Sequence, residues 1–160
     1  MMAADPKIRA DHLRRQAVVY VRQSTPQQVR GNRESAVRQY ALVERARALG
    51  WPAAAVQTID EDQGRSGARS DHRDGFKRLL AEISLGHIGI VFGREMSRLA
   101  RSNRDWHQLL ELCGLFQVLL ADADGVYDPR EVNDRLLLGL KRGATYPTTI
   151  PLSRDPGRYP

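Results

Sequence analysis

Apolar residues fall along this chain in two rhythms. Ala17, Val18, Val19, Tyr20 and Val21 form an unbroken run, and "IGIVF" over 88–92 forms another. Short continuous runs bounded by polar segments predict strands buried on both faces. The first run predicts a strand over roughly 17–23. "AAVQTID" over 54–60 and "QVLLAD" over 117–122 read as two further strands. Between the runs the spacing becomes helical. "ESAVRQYALVERARALG" over 34–50 places Ala36, Leu42, Val43, Ala46 and Leu49 at helical intervals and stops at Gly50. Phe76, Leu79, Leu80 and Ile83 recur at i, i+3, i+4 and i+7, as do Trp106, Leu109, Leu110 and Cys113. Ser102 and Asp105 have the spacing of a capping box at the start of the latter helix. A last helix is predicted in "DPREVNDRLLLGLK", with Asp128 as cap, Pro129 in the first turn and Glu131 completing a box.

Strands alternating with helices predict an α/β domain with a mostly parallel sheet of about four to five strands flanked by helices. The remaining stretches look different. Residues 1–15 read as a flexible basic arm and 16–141 as the domain. "EDQGRSGARSDHR" over 61–73 is a loop rich in Gly, Ser and charge. Residues 142–160 carry Pro147, Pro151, Pro156 and Pro160 without a period, which excludes a helix and predicts a disordered tail. No internal repeat is visible.

Charge narrows the partners. The 160 residues carry 25 Lys plus Arg against 19 Asp plus Glu, a net charge of +6. Most of the cations are arginines, whose planar forks suit bidentate phosphate contacts. A polyanionic partner fits this balance, as does a merely soluble cationic surface. Cys113, the single cysteine, excludes an intramolecular disulfide and reads as core packing. The four histidines lack ligand spacing, so no metal site is expected. No apolar run is long enough for a membrane span, and "MMAADPKIRADHLRR" lacks the apolar core of a signal peptide. The cytoplasm is the expected compartment.

Two clusters carry candidate chemistry. Side chains alternate along a strand, so Tyr20, Arg22 and Ser24 share one face as the first strand gives way to a polar loop. Ligands of open parallel sheets bind outside the carboxyl ends of the strands. A hydroxyl beside a guanidinium there can meet an anion; a surface ion pair and a loop cap are the plainer alternative. The second cluster, "GREMSRLARSNRD", follows the third strand and sets Arg98 and Arg101 three residues apart. Parallel strands bring these two ends together, so Arg22, Ser24, Arg98 and Arg101 can surround one phosphate.

In this order and spacing, "YVRQS", "DQGRSG", "HRDGFKRLL" and "SRLARS" resemble the catalytic domain of the serine recombinases, the resolvase/invertase family, and within it the large members with "SRLAR". The resemblance covers roughly residues 17 to 141. It implies a DNA site-specific recombinase that cuts and rejoins double-stranded DNA through a 5′-phosphoserine intermediate, without a cofactor. Ser24 matches the nucleophile, and Arg22, Arg98 and Arg101 match the arginines that grip the phosphate. Tyr20, Gln28, Gln39, Asp62, Ser66 and Arg73 fall on polar positions of the family's site. No general base for Ser24 is legible; Arg22 and a water are both open.

The chain also departs from the family. Ser97 stands where smaller members carry Asp, a feature of large members, and Glu82 stands near a usually basic position. After Lys141 the family continues as a long helix with subunit contacts leading to DNA-binding domains. Here the proline-rich tail follows, resembling a chain read in a shifted frame. Activity is therefore expected to be impaired, and the family's homodimers and tetramers weakened or lost. The alternative is a non-catalytic remnant that binds DNA weakly. An unrelated phosphate-binding α/β domain is the third reading, but no Gly-rich phosphate loop supports it.

Overall fold

The computed structural model describes residues 6–21, 32–60, 74–96 and 99–142. After a short helix α1 (Ala10–Leu13), strand β1 (Gln16–Val21) leads towards helix α2 (Asn32–Leu49). A single 3₁₀ turn, Ala53–Ala55, precedes β2 (Val56–Asp60). Helix α3 (Asp74–Ser84), β3 (Ile88–Phe92), α4 (Asn103–Phe116), β4 (Leu119–Ala121), β5 (Val126–Tyr127) and α5 (Val132–Arg142) follow. The sheet has the order β2-β1-β3-β4-β5. The first four strands are parallel, and β5 returns antiparallel beside β4. The expected α/β sheet is therefore present, with one antiparallel edge strand.

Both faces of the sheet are covered, which is why its central strands read as continuous apolar runs. Alternation sorts β1 between two cores. Val18 and Tyr20 pack with Phe76, Leu79 and Ile83 of α3, with Trp106, Leu109 and Cys113 of α4, and with Leu138 of α5. Ala17 and Val19 pack on the opposite face with Leu42 and Ala46 of α2 and with Trp51. Each fully buried aliphatic or aromatic side chain stabilises the fold by about 1.5–3 kcal/mol. Cys113 belongs to this core, and burial pushes its thiol pKa well up, away from thiolate chemistry.

The flexible arm expected over 1–15 is corrected by its described part, residues 6–15, which is fastened to the amino ends of the strands. The Arg15 guanidinium donates to the carbonyls of Ile88 at 2.6 Å, Phe116 at 3.0 Å and Gln117 at 3.0 Å. The Arg15 carbonyl accepts from Trp51 Nε1 at 3.0 Å. One residue thus ties together the approaches to β1, β2, β3 and β4. Gln117 is held in the left-handed region, φ 59°, a conformation costing a non-glycine residue about 1–2 kcal/mol. Close packing of α1 on β3 depends on Gly89, because a Cβ there would overlap the His12 carbonyl oxygen.

The last helix also differs from expectation. Asp128 was expected to cap it, but α5 begins at Val132. The Asp128 carboxylate instead accepts from the Arg130 amide at 2.9 Å, forming a turn, while Asp134 accepts from the Asp128 amide at 2.9 Å. Lys7 completes this cluster, 3.2 Å from Asp134 and donating to the Val126 carbonyl at 3.1 Å.

Candidate active site

The parallel strands bring their carboxyl ends together. Val21 pairs with Asp60, Val19 with Phe92, and Phe92 with Ala121. The polar segments singled out from the sequence leave the sheet from these ends: residues from 22 after β1, from 61 after β2, and 93–102 after β3. This is the edge at which open parallel sheets bind ligands. Arg22, Ser24, Gln28, Asp62, Ser66, Arg73, Ser97 and Arg98 lie outside the described residues. Tyr20, Gln39 and Arg101 lie within them.

Tyr20 is buried near the end of β1, on the face covered by α3 and α4. Its ring meets Phe76 edge to face, with centroids 6.3 Å apart and planes at 65°. In this position it supports the strand end from within the core. Gln39 is half-buried in α2. The carboxyl end of α2 lies by the amino edge of the sheet, where the Trp51 amide donates to the Ala46 carbonyl. The half of α2 that carries Gln39 is therefore directed towards the opposite edge.

Arg101 is exposed, at the end of a segment held from below. Met96, Leu99 and Ala100 are buried in the core under α4. The Leu99 amide donates to the Met96 carbonyl at 3.2 Å. Gly93 makes room for the Leu99 side chain, since a Cβ at Gly93 would overlap Leu99 Cδ1. Beyond Arg101, Ser102 caps α4 by accepting from the Asp105 amide at 3.1 Å, as its spacing predicted. Leucine and alanine facing in, arginine facing out: this pattern presents a cation on a rigid base. The amino end of α4 adds partial positive charge beside it.

A carboxylate cluster at the end of β4 was not singled out from the sequence. Buried Asp122 accepts from the Asp124 amide at 2.9 Å, the Gly125 amide at 3.2 Å and the Tyr127 hydroxyl at 3.1 Å. Lys141 of α5 lies 3.4 Å from Asp122 and 3.0 Å from Asp124. Its hydrogen bond to Asp124 raises the lysine pKa against the opposing effect of burial. Burial, followed by the Asp122 charge, raises the Tyr127 phenol. The Asp-Ala-Asp-Gly turn signature after "QVLLA" was the available signal, but only the fold brings Lys141 to it. Among the described residues no group of His, Cys, Asp and Glu is arranged to hold a metal ion. None of the described helices is long and apolar enough to cross a membrane.

Known proteins share this architecture. The catalytic domain of TP901-1 integrase has a TM-score of 0.54 at 21% identity, covering 81% of this chain and 93% of that one. A resolvase family site-specific recombinase from Streptococcus pneumoniae has a TM-score of 0.61 at 22% identity, covering 81% and 85%. The catalytic domain of ISC1926 TnpA, an IS607-like serine recombinase, has a TM-score of 0.52 at 18% identity, covering 82% and 99%. At these identities the likeness establishes the fold. In sequence, the chain is 61% identical over 135 residues to the uncharacterized protein y4bA/y4pH of Sinorhizobium fredii (strain NBRC 101917 / NGR234). That match covers 84% of this chain and 20% of the relative, so the chain spans about a fifth of the relative's length. The family model for the resolvase N-terminal domain matches residues 17–145, from the start of β1 to just beyond α5. With most of its length matched by that model, the chain belongs to the resolvase family, as its N-terminal domain.

Proposed function

We propose that the chain performs the strand-cleavage step of a DNA site-specific recombinase, with Ser24 as nucleophile and Arg22, Arg98 and Arg101 as phosphate-binding residues. The observation that supports this reading is the exposed Arg101 on its buried Leu99–Ala100 base, following β3, which pairs in parallel with β1, the strand that ends at Val21. The Ser24 hydroxyl oxygen attacks the scissile phosphorus. A serine–phosphorus ester forms, the bond to the 3′ oxygen breaks, and the 3′ oxygen leaves as a hydroxyl with a proton. The 5′-phosphoserine conserves the ester, so reverse attack by a 3′-hydroxyl reseals DNA without a nucleotide cofactor. Charge accumulates on the phosphoryl oxygens in the transition state. Preorganised donors stabilise such charge by about 3–4 kcal/mol each, and three guanidiniums can together hold it. A water takes the proton from Ser24 and a water returns one to the 3′ oxygen, because the Arg22 guanidinium, already protonated, has no lone pair to accept it. Tyr20, Gln28, Gln39, Asp62, Ser66 and Arg73 support the strand ends and loops around the phosphate.

Double-stranded DNA is the proposed partner, bound through phosphates and hence strongly weakened by salt. Self-association is assigned to α5, whose Val132, Leu136 and Leu140 form an exposed apolar stripe at i, i+4 and i+8. A second reading, a remnant that binds DNA without cleaving it, is favoured by the proline-rich sequence of 143–160, where the family resemblance calls for a continuing helix. Incubation with recombination-site DNA, followed by a denaturing gel and mass spectrometry, separates the two. A DNA adduct on Ser24 that disappears in Ser24→Ala supports cleavage by this chain. Salt-sensitive DNA binding without an adduct supports the remnant. Neither adduct nor binding overturns both.

A further inference from the structure

Residues 99–102, which carry Arg101, are held from below by Leu99 and Ala100 but lie in no helix or strand, so their carbonyls need partners elsewhere. One partner comes from the last residue of α5. Arg142 Nη1 donates to the Ala100 carbonyl oxygen at 2.8 Å. The same guanidinium lies over the Trp106 ring, 5.6 Å from its centroid, within cation–π range. Trp106 is buried in the first turns of α4. Arg142 thus bridges a fixed aromatic surface and one specific backbone oxygen.

That oxygen matters because of where it lies in the chain. The Ala100 carbonyl and the Arg101 amide belong to one planar peptide unit. Fixing the oxygen fixes the plane from which the Arg101 Cα departs, and hence the origin of its side chain. Arg142 is itself steadied, because its neighbour Lys141 ties the same helical turn to Asp122 and Asp124. We propose that Arg142 is a positioning residue: it holds the Ala100–Arg101 peptide so that Arg101 is preorganised for a DNA phosphate. This rests on the assignment of Arg101 as a phosphate ligand. Lysine is a poor replacement here, because it keeps the charge but lacks the planar fork that can lie on Trp106 while donating to a carbonyl.

The test is a double-mutant cycle on the full chain, read by fluorescence anisotropy with a labelled DNA duplex over a salt series. Arg101→Ala and Arg142→Ala are each expected to weaken binding by about fivefold, the low end for a coupled contact. The double variant is expected to bind no more weakly than Arg101→Ala. A double variant that loses the product of the two effects, with a further drop of about one in the salt slope, would make Arg142 a direct phosphate contact and overturn the proposal. Arg142→Lys gives an independent arm should Arg142→Ala fail to fold. It is expected to bind more weakly than the unaltered chain, and full affinity in this variant refutes positioning. If Arg101→Ala itself binds like the unaltered chain, the phosphate-site assignment fails. If Arg101→Ala weakens binding and the Arg142 variants do not, only the positioning role fails.

Discussion

The two ends of the sheet use arginine in opposite ways. At the amino end, Arg15 directs its guanidinium inward to the carbonyls of Ile88, Phe116 and Gln117, and its side chain is only 15% exposed. At the carboxyl end, Arg101 stands exposed above Leu99 and Ala100. The same type of side chain is largely buried as a structural pin in Arg15 and exposed in Arg101. Strand direction accounts for the difference. At the amino edge, residues leading into several strands come within reach of one guanidinium. At the carboxyl edge, residues 99–101 are anchored by the buried Leu99 and Ala100 side chains and by the bond from Arg142 to the Ala100 carbonyl.

The largest expected effect breaks the amino end. Arg15→Ala leaves three carbonyls without their charged donor and is expected to lower unfolding stability by about 3 kcal/mol, measured by urea denaturation. DNA affinity of the molecules that remain folded should be unchanged. An equal loss of affinity would mean that the two ends are not separable.

Gly89→Ala comes next. The added Cβ meets backbone, the His12 carbonyl, which cannot rotate away. About 2 kcal/mol of destabilisation is expected. Gly93→Ala at the other end meets only the tip of Leu99, which can turn aside, so its stability cost should be smaller. Because Leu99 lies two residues before Arg101, however, Gly93→Ala should weaken duplex binding, whereas Gly89→Ala should not. Paired denaturation and anisotropy measurements check the crossover.

Arg101→Ala is the mirror of Arg15→Ala. Its stability should stay within about 0.5 kcal/mol of the unaltered chain, as for surface changes generally. The salt slope of DNA binding should fall by about one. A substantial loss of stability with no change in slope would make Arg101 a structural residue like Arg15.

The smallest effect concerns pH at the amino end. Burial, and then the nearby charges of Arg15 and Arg9, lower the His12 pKa below 6.5, against the opposing influence of Asp128 and Asp11. His12 Nδ1 accepts from the Arg9 amide at 3.0 Å, a bond that protonation of that nitrogen would break. The unfolded chain therefore takes up this proton at a higher pH than the folded one. The histidine's contribution to stability should fall as pH drops below about 6.5 and level off below the folded-state pKa. His12→Asn, which can keep an acceptor without titrating, should flatten that part of the stability–pH curve. Thermal melts over this range provide the measurement.

Periodicity alone made the main elements of the fold legible. "IGIVF" is β3 over the residues its apolar run predicted, and the Trp106, Leu109, Leu110 and Cys113 stripe is the buried face of α4. Ser102 caps that helix as its spacing required. These features arise from neighbours in the chain or from burial of one helical face, so a linear pattern records them. The candidate site is legible as residue types, with Arg98 and Arg101 three apart after the third strand. The buried support under Arg101, the Asp122–Lys141 contact and the bond from Arg142 to Ala100 are not, because their partners lie far apart in the sequence.

Sequence by itself determined an α/β chain with buried parallel strands, helices on both faces and arginine-bearing segments after its strands. It also contains a further sign: Gly89, a residue without a side chain inside an otherwise apolar strand, marks the close approach of another backbone. Tertiary structure decided that residues 6–15 pack instead of extending as an arm, and that β5 closes the edge antiparallel. It also decided that α5 begins at Val132 and that two arginines of the same basic chain have opposite surroundings. The physical reason is range. Helical stripes and caps depend on residues three or four positions apart, whereas the surroundings of a guanidinium depend on which carbonyls the folded sheet brings within hydrogen-bonding distance.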